Sequence, residues 1–298
     1  MIVDTHQHVF WHGGNDRDLI ADMDAHDIDA AWLLTWEAPS VEEAGRHGHV
    51  FNPAHARPDG THDGMPLSDV LTACERHGGR FVPGYCPDPA RPDAPALLES
   101  ACRMHGVRVC GEWKYQMLVD DPRSLELFRK AGQLGCPVVV HLDVPYLPDA
   151  KTGEPNYCPL WYGGTLDNLR RAAEACPRTT FLGHGPGFWR EISADADAAA
   201  QMYPDGPLAP GGRLYDGFEA CPNLHADLSA NSALGALKRD VEHARGFLRR
   251  YADRLLFGRD MLGGALLEFL DSLDLPGEVI EKLHSLNALR LVPPAPPS

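Results

Sequence analysis

Short apolar runs alternate along this chain with stretches whose apolar residues recur at helical spacing. The runs occupy 2–9, 28–35, 80–86, 107–115, 138–142, 179–183, 224–228 and 255–258. Helix-like stretches stand between them: LIADMDAHD before the second run, LSDVLTACERHGG before the third, ALLESACRMHG before the fourth, SLELFRKAGQLG before the fifth, LDNLRRAAEACP before the sixth and DVEHARGFLRRYADR before the eighth. Gly106 and Gly135 fall where helix C-caps are expected. A last helix, GEVIEKLHSLNALRLV, leads into the Pro-rich end. Short, continuously apolar strands separated by helices mark buried parallel βαβ units. Eight of them in 298 residues predict an α/β fold, a single-domain (β/α)8 TIM barrel over 1–292 with a frayed tail at 293–298. A doubly wound open sheet is the alternative. Two segments exceed ordinary loop length, 143–165 after the fifth strand and 186–223 after the sixth. Both follow strands, on the face where a barrel carries its chemistry.

The composition narrows the class. A hydrophobic fraction of 44% is that of a globular domain, and no apolar stretch is long enough to span a bilayer. The formal charge of −15 and the absence of a basic run argue against a nucleic-acid partner. The N-terminus, MIVDTHQHVF, has neither the basic start nor the apolar middle of a signal peptide, so a cytoplasmic location is expected. The eight cysteines include no CxxC pair, which argues against a zinc ribbon or thioredoxin-type site. They are expected to be reduced and partly buried, with Cys110 as the candidate for a functional thiol.

The ionisable residues concentrate at strand ends. His6 and His8 alternate in the first strand and so share a face. His141 ends the fifth run (VVVHLD), His184 the sixth (TFLGHG) and Asp260 the eighth (LLFGRD). Parallel strands bring these ends to one rim, where four imidazoles and a carboxylate converge. That donor set suits a divalent metal such as zinc, and burying such groups without a shared partner is costly. On the fourth strand, GEWKYQ, Glu112 and Lys114 share a face opposite Trp113. Three readings stay open there: Glu112 bridging a second ion, Lys114 binding a substrate carboxylate or, if carbamylated, a metal, and a structural Glu112–Lys114 ion pair.

HxH on strand one, His on strands five and six, and Asp on strand eight is an arrangement that resembles the amidohydrolase superfamily. The stretches VDTHQH, VVVHLD, FLGHG, HADLS, LLFGRD and HSLNALRL make the chain most similar to its amidohydrolase-related branch. The resemblance implies that His6, His8 and His141 ligate a divalent metal. It implies that Asp260 is both ligand and proton-transfer group, and that His184 is either a ligand or a catalytic acid/base. Zinc is the expected ion, with manganese, iron and nickel accepting the same donors, and one ion is expected rather than two. Strand four departs from the branch, and its Gly-Glu pair is similar to TatD-like deoxyribonucleases. The implied chemistry is hydrolysis of an amide, lactone or other ester by a metal-activated water. The alternative is metal-dependent, non-oxidative decarboxylation of an unsaturated or aromatic acid.

For the substrate, Trp11, Trp36, Trp113, Trp161 and Trp189 fall at or after strand ends and suggest an apolar, aromatic pocket. Glu37, Tyr85, Lys114 and Arg190 are candidate polar contacts, Lys114 first for an anionic substrate. Arg259, beside Asp260, is expected to face the barrel–helix layer. The expected partner is a small molecule, with a homodimer as an open option. The competing classes are the decarboxylase, a nuclease, and a barrel used only for binding.

Overall fold

The computed structural model describes residues 1–37 and 41–294. The tail expected at 293–298 therefore lies mostly outside the described residues. Eight parallel strands form the barrel: β1 (Val3–Gln7), β2 (Ala30–Leu33), β3 (Phe81–Pro83), β4 (Cys110–Trp113), β5 (Val138–His141), β8 (Phe181–His184), β9 (Leu224–Asp227) and β10 (Leu255–Leu256). Two ladders, β1-β2-β3 and β4-β5-β8-β9-β10, make up the wall. Short contacts join them at both seams. Tyr85 N donates to Val109 O at 2.9 Å between β3 and β4, and Thr5 N donates to Phe257 O at 2.9 Å between β1 and the end of β10. An open sheet would leave β1 or β10 unpaired on one side, so the barrel prevails over the doubly wound alternative.

The expected helices are present. They include α1 (Asp16–Ala25), α3 (Leu67–Arg76), α4 (Ala94–His105), α5 (Pro122–Leu134), α6 (Leu166–Ala175), α10 (Val241–Arg250) and α11 (Ala265–Ser272). Gly106 and Gly135 close α4 and α5 at φ of 68° and 72°, a left-handed conformation that glycine adopts without a Cβ clash. The closing helix is interrupted. It runs as α12 (Gly277–Glu281), a wide π turn over Lys282–Leu286, and α13 (Asn287–Leu291). Asn287 there donates to the carbonyls of Ala252 and Leu255, tying the helix under the barrel floor.

The loops differ from expectation in two ways. A third long excursion follows β2 and carries α2 (Val41–His47), because helical periodicity resumes only at Leu67. The two expected excursions also have internal structure. A hairpin of β6 (Tyr146–Pro148) and β7 (Pro155–Tyr157) fills 143–165, while α7 (Pro186–Trp189) and α8 (Arg213–Ala220) occupy 186–223. After β9 the chain forms α9 (Ala230–Lys238).

Val3, Trp32, Leu34, Val109, Val139, Leu182 and Leu256 fill the barrel, with Ala288 and Val292 below them. On β5 and β8, Val139 and Leu182 point inward, and strict alternation sends His141 and His184 the same way. β1 and β4 break that rule. From Val3 and Val109, alternation would turn Gln7 and Trp113 inward. Irregular pairing between Asp4 and Gln7, and between Cys110 and Trp113, instead swings His6, His8 and Glu112 to the mouth. All eight cysteines are free thiols, and Cys110 is buried in the layer between barrel and helices. That placement removes it as a site thiol. No helix among the described residues is long and apolar enough to cross a membrane.

Candidate metal centre

The C-terminal ends of five strands meet at one buried point. His6 and His8 come from β1, Glu112 from β4, His141 from β5, His184 from β8, and Asp260 from the turn after β10. Three overlapping triads each bring their ligand atoms within 4.8 Å: His6–His8–Glu112, His6–His184–Asp260 and Glu112–His141–His184. His6, Glu112 and His184 are 1% exposed or less, whereas the Asp260 side chain, at 15%, lies toward the opening. Asp260 takes φ of 57°, left-handed for a residue with a Cβ, while its N–H donates to His6 O at 2.8 Å. Such backbone tends to persist only where the surroundings over-determine it, as at functional sites.

The outer hydrogen bonds decide which ring nitrogens face the centre. His8 Nδ1 lies 2.9 Å from Leu34 O, and a carbonyl only accepts, so Nδ1 carries the hydrogen. His6 Nδ1 lies 2.8 Å from Asp227 Oδ2, and His184 Nδ1 lies 3.0 Å from Asp227 Oδ1 and 2.8 Å from Ser229 Oγ. One carboxylate thus orients two rings, an arrangement typical of the groups behind metal ligands. The consequence is three Nε2 atoms turned inward. His6 Nε2 and His8 Nε2 face each other at 3.2 Å, and two lone pairs at that separation repel unless a proton or a cation lies between them. His184 Nε2 and Asp260 Oδ1 are buried with no hydrogen-bond partner. Asp260 Oδ1 is 3.8 Å from His6 Nε2 and 3.6 Å from His8 Nε2. Buried polar atoms without partners are rare and costly, and here they surround a common centre. The residues fit a divalent cation.

His141 stands differently. Both its nitrogens are engaged, Nδ1 with Glu112 Oε1 at 2.8 Å and Nε2 with Asp143 Oδ2 at 3.0 Å. Glu112 keeps Oε2 toward His8 Nε2 at 3.6 Å. The structure therefore brings His141 into the cluster without leaving it a free lone pair.

Without a cation the cluster holds protons. Burial alone would push His6 down, but the carboxylates of Asp227 and Asp260 outweigh it and lift its pKa to about 10. Burial drives His8 the other way, to about 4, despite Asp260. Burial would also raise Asp227 and Glu112. The imidazoles of His184 and His6 hold Asp227 well below the carboxylate range, and Lys114 and His141 do the same for Glu112. Metal entry at neutral pH must displace the His6 proton, so affinity rises with pH below about 10. Calorimetry of zinc binding at pH 7 in buffers of different ionisation enthalpy is expected to show about one proton released per ion. Zero release would contradict the protonated His6–Asp227 pair.

Several substrate candidates lie elsewhere. Trp189 is fully buried outside the barrel against Phe188 and Phe247, its Nε1 donating to Asp227 O. Trp113 packs outward on Phe128, and Trp161 bonds the hairpin's Tyr157. Position after a strand end did not place these rings at the mouth, because the irregular pairing in β4 or loop packing turned them away. Arg190 Nη2 donates to the carbonyls of Ala196 and Ala199, bracing the 186–223 excursion. Tyr85 sits in the outer layer and bonds Glu37. Trp11 and Trp36 do reach the mouth. Trp11 lies 6.0 Å from the His8 ring and 6.0 Å from Trp36, and its Nε1 donates to Asp260 O. A cleft of about 620 Å³, lined by His8, Trp11, Asn15 and Leu262, opens beside them. Sequence reasoning missed Asp227, Ser229, Asp143 and Tyr162. Asp227 ends the seventh run in HADLS, the same strand-end signal that marked His184 and Asp260.

No protein-family model and no curated protein matches the chain. Solved structures do. At TM-score 0.62 and 14% identity, the chain resembles 5-carboxyvanillate decarboxylase from Sphingomonas paucimobilis, over 97% of this chain and 98% of that one. A dihydroxybenzoic acid decarboxylase from Polaromonas, with bound manganese and 2-nitroresorcinol, gives TM-score 0.60 at 15% identity over 97% and 96%. A protein from Pseudomonas putida, named as a candidate 2-pyrone-4,6-dicarboxylic acid hydrolase, gives 0.58 at 14% identity over 97% and 96%. The chain shares their fold. At this identity the likeness speaks for architecture alone.

Proposed function

We propose that the chain is a metal-dependent hydrolase of the amidohydrolase superfamily, acting on a small amide, lactone or other ester. One observation carries the reading: His184 Nε2 and Asp260 Oδ1 are buried without partners beside two imidazole nitrogens that face each other at 3.2 Å. His6, His8 and Asp260 would hold the ion, with His184 and Glu112 at its other sides. The nitrogen and carboxylate donors favour zinc, with manganese, iron or nickel as alternatives. A divalent cation there supplies a water that ionises near neutral pH and an electrophile for the substrate oxygen.

The chain's own groups do the rest. Asp260, nearest the opening, takes the proton of the attacking water as the oxygen–carbon bond forms. It returns that proton to the leaving nitrogen or oxygen as the old bond breaks. His184, its Nδ1 held by Asp227 and Ser229, steadies the charge that develops on the carbonyl oxygen as the imidazolium, donating from Nε2. Asp227 fixes the orientation of the His6 and His184 rings through their Nδ1 atoms. The test is a pH-stat screen of lactones, esters and N-acyl amides with native, chelator-stripped and zinc-reloaded protein. Hydrolysis of one class, lost on stripping and restored on reloading, is expected. Full activity after stripping contradicts the proposal.

A second reading is favoured by the decarboxylases among the similar structures and by the tryptophans at the mouth. In it, His184 or Asp260 delivers a proton to the substrate carbon while the carbon–carbon bond breaks and carbon dioxide leaves. Carbon dioxide release from an aromatic acid, with no lactone or ester turnover, would select this reading. One ion is expected, because Glu112 Oε1 is already committed to His141. Glu112→Gln should then leave metal content at about one ion per chain, and a fall from two to one would show that Glu112 bridges.

A further inference from the structure

Lys114 follows Glu112 by two residues and turns to the same side of β4. It is 9% exposed, yet among the described residues its ammonium has no hydrogen bond and no ion pair. Aromatic faces surround it instead. Nζ lies 3.9 Å from the Trp36 ring centroid, 5.5 Å from Tyr162 and 5.9 Å from Trp11. Three different excursions bring these rings together, those after β1, β2 and β5. The cage is itself fixed. Tyr162 exchanges backbone hydrogen bonds with Asp143, its hydroxyl turns to His47 Nε2 at 3.2 Å, and Trp11 Nε1 donates to Asp260 O.

Ring faces recover only part of the hydration that a buried ammonium gives up, and they satisfy none of its three donors. Glu112 lies near enough to feel the charge but makes no ion pair with it, its Oε1 being bonded to His141. Buried arginines in this chain are treated differently, Arg259 being paired with both Asp4 and Asp22. The cage adjoins the metal centre, near enough for the ammonium to act electrostatically on both Glu112 and His141.

We propose that Lys114 is the specificity-determining residue of this site and reads an anionic group, a carboxylate or its equivalent, on a planar substrate, remote from the group that reacts. The inference rests on the reading of the mouth as a substrate site, and it names what that substrate must carry. The substrate's acid supplies the acceptor that the fold withholds, and the tryptophan faces that hold the ammonium also flank the ring that bears the acid. A charge-assisted hydrogen bond in a site shielded from water makes the group selective against its neutral amide.

The test compares two probes of the same shape, isophthalate and 3-carbamoylbenzoate, by calorimetry on zinc-loaded protein. Both keep one carboxylate, and they differ only in the charge of the second group. The wild type is expected to bind the diacid at least about tenfold more tightly. Lys114→Met, which fills the cage without charge, should bring the two within about threefold, while Lys114→Arg should retain a preference. Metal content measured on the same samples separates the two proposals. A Lys114-dependent preference in protein that holds no metal supports this inference and sinks the hydrolase. Protein that holds metal but shows no preference for the diacid, or keeps the preference in Lys114→Met, overturns the role of Lys114.

Discussion

Asp260→Asn is expected to lower turnover roughly 10²–10⁴-fold while the protein stays folded, the range for removing a positioned proton-transfer group. The side chain faces the opening and anchors nothing in the core, while its backbone N–H still donates to His6 O. The amide keeps the shape and one oxygen but cannot accept and return the water proton. His6→Ala should cost at least as much by a different route, because it removes an inward Nε2 and strips Asp227 of one of its two rings. Metal analysis separates the two: His6→Ala should lose the ion, and Asp260→Asn should retain it at lower affinity. Near-wild-type turnover by both variants would remove the assigned roles.

The second large effect is on stability, one residue earlier. Arg259→Ala is expected to destabilise the fold by about 3–5 kcal/mol, because it strands a buried carboxylate. Arg259 Nε donates to Asp4 Oδ2 at 2.7 Å, its backbone N–H donates to Asp4 Oδ1 at 3.0 Å, and a guanidinium nitrogen pairs with Asp22 of α1. Asp4 is fully buried. The pair staples the end of the last strand to the first, across the seam where isolated hydrogen bonds rather than a ladder join β10 to β1. Urea unfolding of metal-free protein measures it, and a change under about 1 kcal/mol would contradict the staple. The left-handed backbone at Asp260 lets these two neighbours face opposite ways, one into the wall and one into the site.

The sequence made much of this legible. Eight apolar runs correspond to eight strands, and the two C-cap glycines mark real helix ends. The cluster was readable because residues at the ends of parallel strands share a rim, which brings His6, His8, Glu112, His141, His184 and Asp260 together across the whole chain. What stayed hidden depends on local irregularity and on loops. The slips in β1 and β4 that turn His6, His8 and Glu112 inward have no periodic signature. Trp189 reads as a rim residue until α7 rotates it behind the wall, and Arg190 reads as a ligand contact until the carbonyls of Ala196 and Ala199 hold its Nη2 within the excursion. The double hydrogen bonding of His141 needs Asp143 and Glu112 in space, not in order. Asp227 was visible in principle as a strand-end carboxylate, but its work is indirect, on rings rather than on the centre.

The central claim is that a single cation belongs where these donors face one another. Anomalous diffraction at the zinc edge, on crystals of zinc-loaded protein, tests it directly. One peak is expected, about 2.0–2.2 Å from His6 Nε2, His8 Nε2 and an Asp260 oxygen, with His6 Nδ1 and His184 Nδ1 still held by Asp227. A map with no peak among those atoms, in protein whose rings keep their present positions, would contradict it.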